Sequence, residues 1–267
     1  MKPTESSAIV LVLACGAQLM VVLDGLIVDV ALPQIRSELG LSAAGQQWVV
    51  DGYLITLGGL LLFAARAADL LGHRRVFLIG SAVFTLASLA GGLAQDGSML
   101  LAARIVQGVG AAALAPGSLS LLMVTHTGEH RARALSIWSA TAGSAGALGL
   151  VLGGVVTNTL GWRWVLLINV PIGVALWTVA WNSLLPTHRV DRKSFDLPGA
   201  ITVTLGTGAL VYGISQAGSA GWASPRVLLA VLTGVVLLAL FRAIERRSPN
   251  PLVPFAVLQR GNIVVAT

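Results

Sequence analysis

Two aspartates, Asp24 and Asp29, interrupt an apolar run that begins near Ala8. An ionisable group at membrane depth is costly, and where one persists it faces a bundle interior or a water-filled cavity. Asp24, in Leu23-Asp24-Gly25-Leu26-Ile27-Val28-Asp29-Val30-Ala31-Leu32-Pro33, is therefore a candidate to line a pathway. An apolar cavity around it would let it load and release protons near working pH. Asp29 lies five residues on, about 140° around a helix of 3.6 residues per turn, so the two cannot both point straight at one pathway. A counter-charge stands in Arg104-Ile105-Val106-Gln107-Gly108-Val109-Gly110. Arg104, Gln107 and Gly108 fall at i, i+3 and i+4, on one helical face. A guanidinium stays charged when desolvated, so Arg104 can tune nearby carboxylates; the plainer alternative is an arginine snorkelling to the interface. Asp51 is expected either to face the cavity of Asp24 or to be hydrated at the interface.

The elements that must hold these residues are membrane helices. The composition is 55% hydrophobic and 10% charged, and the mean hydropathy is +0.84; soluble domains carry roughly 25% charged residues. Spanning helices need about 20 mostly apolar residues. Eight segments qualify: Ala8–Leu32, Gln46–Ala65, Val76–Leu93, Met99–Val124, Ala134–Val156, Trp164–Leu185, Leu197–Ser215 and Val227–Ile244. The first is too long, and too acidic, for a cleaved signal peptide. With the N-terminus inside, thirteen of the seventeen Lys and Arg residues fall in inside loops and three outside, leaving Arg104 within a span. That bias sets a cytoplasmic N-terminus in a multi-pass cell-membrane protein. The net charge of +6 then reflects topology and implies no nucleic-acid partner. One cysteine, Cys15, excludes a disulfide framework. With only Lys2 and Lys193 as lysines, no phosphate loop of the Walker type can form. The chain is expected to divide into a six-span bundle (1–185), a polar cytoplasmic linker (186–196), two further spans (197–245), and a loop leading to a truncated ninth span (246–267).

Other motifs carry packing or turning roles. Ala65-Arg66-Ala67-Ala68-Asp69-Leu70-Leu71-Gly72-His73-Arg74-Arg75 fills the inside connection between spans two and three. Gly72 permits a tight turn, and Asp69 can cap a helix N-terminus or pair with an arginine. Gly143, Gly146, Gly149, Gly153 and Gly154 recur along span five; the first four share a face that allows close helix approach. Trp162 and Trp164 are expected to anchor span six at the interface, and Pro171 with Gly173 to bend it in mid-span. His126-Thr127-Gly128-Glu129-His130 matches the H-x-x-E-H pattern of inverted zinc peptidases. It lies in a short loop containing a glycine and is read as a chance match, so no metal and no cofactor are expected. No nucleophile–base pair falls in a plausible site, and the chain is not expected to be an enzyme.

In this order the segments resemble the major facilitator superfamily, specifically its drug:proton antiporter group with fourteen spans. Asp24 to Pro33 resembles the first-span motif L-D-x-T-I-V-N-V-A-L-P, and Ala65 to Arg75 the loop signature G-x-L-A-D-R-x-G-R-K. Arg104 to Gly110 is similar to R-x-x-Q-G-x-G, Gly146 to Gly154 to G-x-x-x-G-P-x-x-G-G, and Trp162 to Gly173 to W-R-W-x-F-x-x-N-x-P-x-G. Phe195-Asp196-Leu197-Pro198-Gly199 resembles the opening of the two extra spans. Leu26, Asp29, Ala65, His73 and Leu150 depart from the motifs. The resemblance implies an all-α membrane fold: a six-helix bundle plus two linker helices, truncated before the second bundle. It also implies a proton-coupled exporter of drugs or amphipathic small molecules. Asp24, Arg104, Gln107, Asp29 and Asp51 would line its proton and substrate pathway, and Asp69, Gly72, Arg74 and Arg75 would form a gating loop. A missing C-terminal half, or a second polypeptide, would be needed for transport. The alternatives are a solute importer of the same superfamily, or a non-transporting regulatory fragment or remnant.

Overall fold

A computed structural model describes residues 7–184 and 197–247. The expected linker 186–196 and the start of a ninth span beyond residue 247 lie outside the described residues. Nine helices follow one another among them: α1 (Ser7–Leu39), α2 (Ala43–Leu71), α3 (His73–Gly92), α4 (Gly97–Thr125), α5 (Gly128–Thr159), α6 (Arg163–Leu167), α7 (Asn169–Ser183), α8 (Leu197–Ala220) and α9 (Pro225–Arg247). Seven segments are long and apolar enough to cross a membrane: α1 to α5, the α6–α7 pair taken together, and α9. α8 stands where the seventh span is expected. The chain forms two compact units, residues 1–190 and 191–267.

Local chemistry ends the helices of the first unit. The Ser42 hydroxyl caps α2 by accepting from Gly45 N at 3.0 Å, and the Asp96 carboxylate caps α4 by accepting from Met99 N at 2.8 Å. Such caps satisfy the amides that a helix start leaves without partners. Between α2 and α3 the chain turns on one residue. Gly72 adopts φ +93° and donates its N–H to Ala68 O at 3.0 Å, a backbone region that side chains disfavour. The sixth span breaks at Ile168, between α6 and α7. The expected mid-span bend at Pro171 and Gly173 is corrected accordingly. Pro171 falls in the first turn of α7, where its missing N–H has no helical acceptor to serve. Gly173 instead serves contact, since a Cβ there would collide with the Thr85 side chain of α3.

α1 runs through the middle of this unit and touches α2, α4, α5, α6 and α7. Glycines let its neighbours approach. A Cβ on Gly108 would lie 2.7 Å from Tyr53 O of α2, and one on Gly110 2.5 Å from Phe84 N of α3. Two apolar clusters form the interior. One includes Val10 to Val21 of α1 with Phe77, Phe84 and Leu114; the other includes Leu23 to Ile35 of α1 with Leu100, Trp162 and Leu166. Large apolar side chains also cover the outside, among them Leu86 at 65% and Val151 at 64% exposure, as expected of a surface that meets lipid. The second unit is an antiparallel pair, α8 against α9, in which Gly206 meets Leu237 and Leu238, and Gly213 meets Ala230 and Val231.

Candidate functional site

Where the two apolar clusters of the first unit meet, five helices bring polar side chains together. α1 contributes Asp24, α4 Arg104 and Gln107, α3 Ser88, α7 Asn169 and α2 Tyr53. None of the six is more than 1% exposed. Arg104 Nη1 donates to Asp24 Oδ2 at 2.5 Å and to Gln107 Oε1 at 2.8 Å, while Arg104 Nε reaches Val49 O at 3.3 Å. Gln107 Nε2 and Asn169 Nδ2 donate to Asp24 Oδ1 at 2.8 and 2.7 Å. The same two amides reach Ser88 Oγ at 3.1 Å each, and the Ser88 hydroxyl donates to Leu166 O at 3.0 Å. The guanidinium lies 4.2 Å from the centre of the Tyr53 ring, whose hydroxyl donates to Val21 O at 3.1 Å. Arg104 Nη2 and Asn169 Oδ1 have no partner among the described residues.

This geometry corrects two expectations. Asp24 does not line an apolar cavity; it is a saturated acceptor facing a guanidinium and two amides. Arg104 does not snorkel, because a carboxylate at its own depth offers a better partner than the distant interface. A buried charge pair repays its desolvation only when further hydrogen bonds satisfy the remaining atoms; Gln107, Asn169 and Val49 O supply most of these here, and Arg104 Nη2 is left over.

The other expected residues scatter. Asp29 is exposed on the side of α1 away from Asp24, as the 140° offset requires. Asp51 is buried and accepts from Gln47 Nε2 at 3.0 Å. Asp69 caps no helix, since it lies in the last turn of α2; its exposed carboxylate sits 3.9 Å from Arg66 Nη1. Arg74 donates to Trp181 O at 2.8 Å and stacks over the Trp181 ring, whereas Arg75 is exposed. Gly146, Gly149 and Gly153 face α1, where added Cβ atoms would meet Leu26 or Val30 at 3.5, 3.2 and 3.0 Å. Gly143 and Gly154 meet nothing within 4 Å, so the expected four-glycine face shortens to three.

Trp162 is not an interface anchor. It is 1% exposed, and its indole N–H donates to Glu38 Oε2 at 2.9 Å beside an Arg163–Glu38 ion pair of the same length. Trp164 is 49% exposed. The residues of the H-x-x-E-H match end α4 and open α5.

Ser88, Tyr53 and Asn169 are the members of the network that sequence reasoning passed over as site residues. Asn169 carried a signal, being an amide within an apolar segment, two residues before Pro171. Ser88 carried none, because serine is common in membrane helices.

Residues 14–241 match the family model described as Major Facilitator Superfamily. The chain is 46% identical over 255 residues to the cephamycin export protein CmcT of Amycolatopsis lactamdurans, covering 94% of this chain and 52% of that one. It is 43% identical over 252 residues to the puromycin resistance protein pur8 of Streptomyces alboniger, covering 93% and 49%. It therefore spans about half the length of the curated relatives it matches. Among solved structures, a peptide transporter POT in complex with sulfate superimposes with a TM-score of 0.67 at 13% identity, over 92% of this chain and 53% of that one; this likeness concerns the fold. With the family model matched across most of its length and seven segments of spanning character, the chain is a multi-pass membrane protein of the Major Facilitator Superfamily.

Proposed function

We propose that the chain forms the first bundle of a proton-coupled exporter of drugs or other amphipathic small molecules. It sits in the cell membrane with its N-terminus in the cytoplasm, and a second bundle, in the same or another polypeptide, completes the pathway. The observation that carries this reading is the fully buried Asp24–Arg104 pair at membrane depth. A proton placed on Asp24 Oδ2 neutralises the carboxylate and leaves the guanidinium unpaired. Breaking a buried pair by removing one partner costs about 3–5 kcal/mol, a gap that rearrangement of the helices holding Arg104 would relieve. Proton uptake and conformation are thereby coupled. Curated relatives named for export of, or resistance to, antibiotics support small-molecule cargo.

The remaining expected residues take roles in the same scheme. Asp29, exposed on α1, faces the pathway between bundles, and buried Asp51 lies beside it. Asp69, with its free outer face, and Arg75 meet the second bundle at a gating turn made by Gly72 and held by Arg74. The close α1–α5 contact at Gly146, Gly149 and Gly153 lets those helices rock, as in transporters that alternate access around a midplane site.

The test uses inverted membrane vesicles from cells expressing the native locus, with wild-type protein and with Asp24→Asn at matched membrane abundance. Dye accumulation driven by a pH gradient is expected to be lost in the variant while gradient-independent exchange persists. Unchanged gradient-driven accumulation refutes the proton role. Exchange by the wild-type protein that ignores the gradient favours an importing facilitator instead.

A further inference from the structure

A second polar site lies far from Asp24 in sequence and in depth. A cavity of about 340 Å³ opens between the first turns of α1, the α4–α5 turn and the first turns of α5. Sites for small ligands run from about 300 Å³ upward. Its polar wall holds His126, Thr127, His130 and Arg133, and among the described residues no carboxylate lines it. Its apolar wall includes Leu11 of α1 and Ile137 of α5.

The turn is built to leave cationic and hydroxyl groups free. Thr125 Oγ1 donates to Leu121 O at 2.8 Å, so its lone pairs accept from His126 Nδ1 at 2.9 Å. Leu122 O, 3.3 Å from the same ring nitrogen, also requires a proton there. The His126 ring is thus held as the Nδ1–H tautomer, 8% exposed, and Nε2 has no partner among the described residues. Arg131 is spent on the turn, donating to His126 O at 2.9 Å and Met123 O at 3.1 Å. Arg133, two residues on, makes no hydrogen bond or ion pair among the described residues, although Glu129 lies four residues before it. A guanidinium without a counter-charge among the described residues, a second histidine and a hydroxyl, opposite an aliphatic wall, suit an anion with an apolar body. A phosphate fits the donor set, because guanidinium groups grip its oxygens and a hydroxyl, of the free ion or of a headgroup glycerol, can donate to His126 Nε2.

We propose that this cavity is a phosphate-monoanion site, with Arg133 as the charged contact, His130 as a second ring-nitrogen contact and His126 Nε2 as acceptor for a ligand hydroxyl. The chemistry is shared by anionic phospholipid headgroups and by free phosphate, and the aliphatic wall favours the lipid. It does not depend on the proton-coupling reading.

The purified chain in neutral detergent is titrated with dioctanoyl phosphatidylglycerol, dioctanoyl phosphatidylcholine or inorganic phosphate, and thermal unfolding is followed. Saturable protection by phosphatidylglycerol at concentrations at least tenfold below those needed with phosphatidylcholine is expected, with inorganic phosphate weaker. The double variant Arg133→Gln/His130→Gln should shift the phosphatidylglycerol midpoint at least tenfold, whereas Arg226→Gln, at the start of α9, should not. Protection by inorganic phosphate alone, lost in the same double variant, supports the anion site and assigns it to the free ion. Equal protection by both lipids, or an unshifted midpoint in the double variant, overturns the proposal. Should the double variant fail to fold, Arg133→Lys serves in its place: its ammonium keeps the charge without the guanidinium's two-pronged grip, so a midpoint weakened less than tenfold supports the site and an unshifted one overturns it.

Discussion

Replacing Arg104 by glutamine measures what the buried pair contributes. Asp24 receives hydrogen bonds of 2.5, 2.8 and 2.7 Å from Arg104, Gln107 and Asn169. Without the guanidinium, a carboxylate at 0% exposure retains two amide donors and no counter-charge. Breaking a buried pair from one side costs about 3–5 kcal/mol in soluble proteins. Within a bilayer or micelle the unfolded chain also finds polar partners, which lowers measured values, so the expected loss is about 3 kcal/mol. Asp24→Asn should cost less, about 2 kcal/mol, because the amide oxygen still accepts from Arg104. The double variant Asp24→Asn/Arg104→Gln places neutral amides opposite one another and should be more stable than the sum of the single losses predicts. A coupling of about 2–3 kcal/mol, at the upper end for contacting residues, is expected. The assay is equilibrium unfolding of the purified chain in mixed micelles, titrated with a denaturing detergent and read by helical circular dichroism. Additivity within about 0.5 kcal/mol would show that Asp24 and Arg104 do not sense one another, and would sink the ion-pair argument with the coupling scheme built on it.

Three further outcomes follow from local geometry and are read in the same unfolding assay. Gly110→Ala drives a methyl against the α3 backbone at Phe84 N and should cost about 1–3 kcal/mol, the usual range for overpacking, whereas Gly154→Ala, with nothing within 4 Å, should stay within about 0.5 kcal/mol of wild type. Gly72→Ala forces a Cβ onto a residue at φ +93° and should cost about 1–3 kcal/mol. The Ser98 hydroxyl, then the Met99 N–H, hold the Asp96 carboxyl below the usual carboxylate range; its folded value being depressed, its contribution is present above the unfolded value near about 4 and fades as pH falls through the folded one, so the stability difference between wild type and Asp96→Asn should shrink on acidification.

The spans were legible because hydropathy is a property of contiguous residues. So was the presence of costly acids in the first span and of a costly base, Arg104, in the fourth. Their pairing was not: Asp24 and Arg104 stand eighty residues apart, and no periodicity connects two helices. Environment was misjudged for the same reason. The apolar neighbours of Asp24 along α1 suggest an apolar cavity, while its actual hydrogen-bond partners come from two other helices, α4 and α7. Trp162 was misread because tryptophan serves equally as an interface anchor and as a buried donor, and only the position of Glu38, on a different helix, decides between them. Gly143 and Gly153 fall on one broad face of a helical wheel, about 80° apart, yet α1 passes close to only one of them.

The placement of the Asp24 layer, between two apolar clusters, has a consequence for how the helices find their registration. Hydrocarbon tails are as apolar as leucine, so burial among lipids gives one rotation or axial shift of a helix little advantage over another. In such a bundle, Leu and Val positions are nearly exchangeable. Moving α4 by one turn along α1, about 5.4 Å, would leave Arg104 and Asp24 each facing hydrocarbon, and Gly108 and Gly110 would no longer lie under their neighbours' backbones. The polar layer acts as an index mark: it spans few residues, but it singles out one alignment of five helices from the many that oil alone would accept.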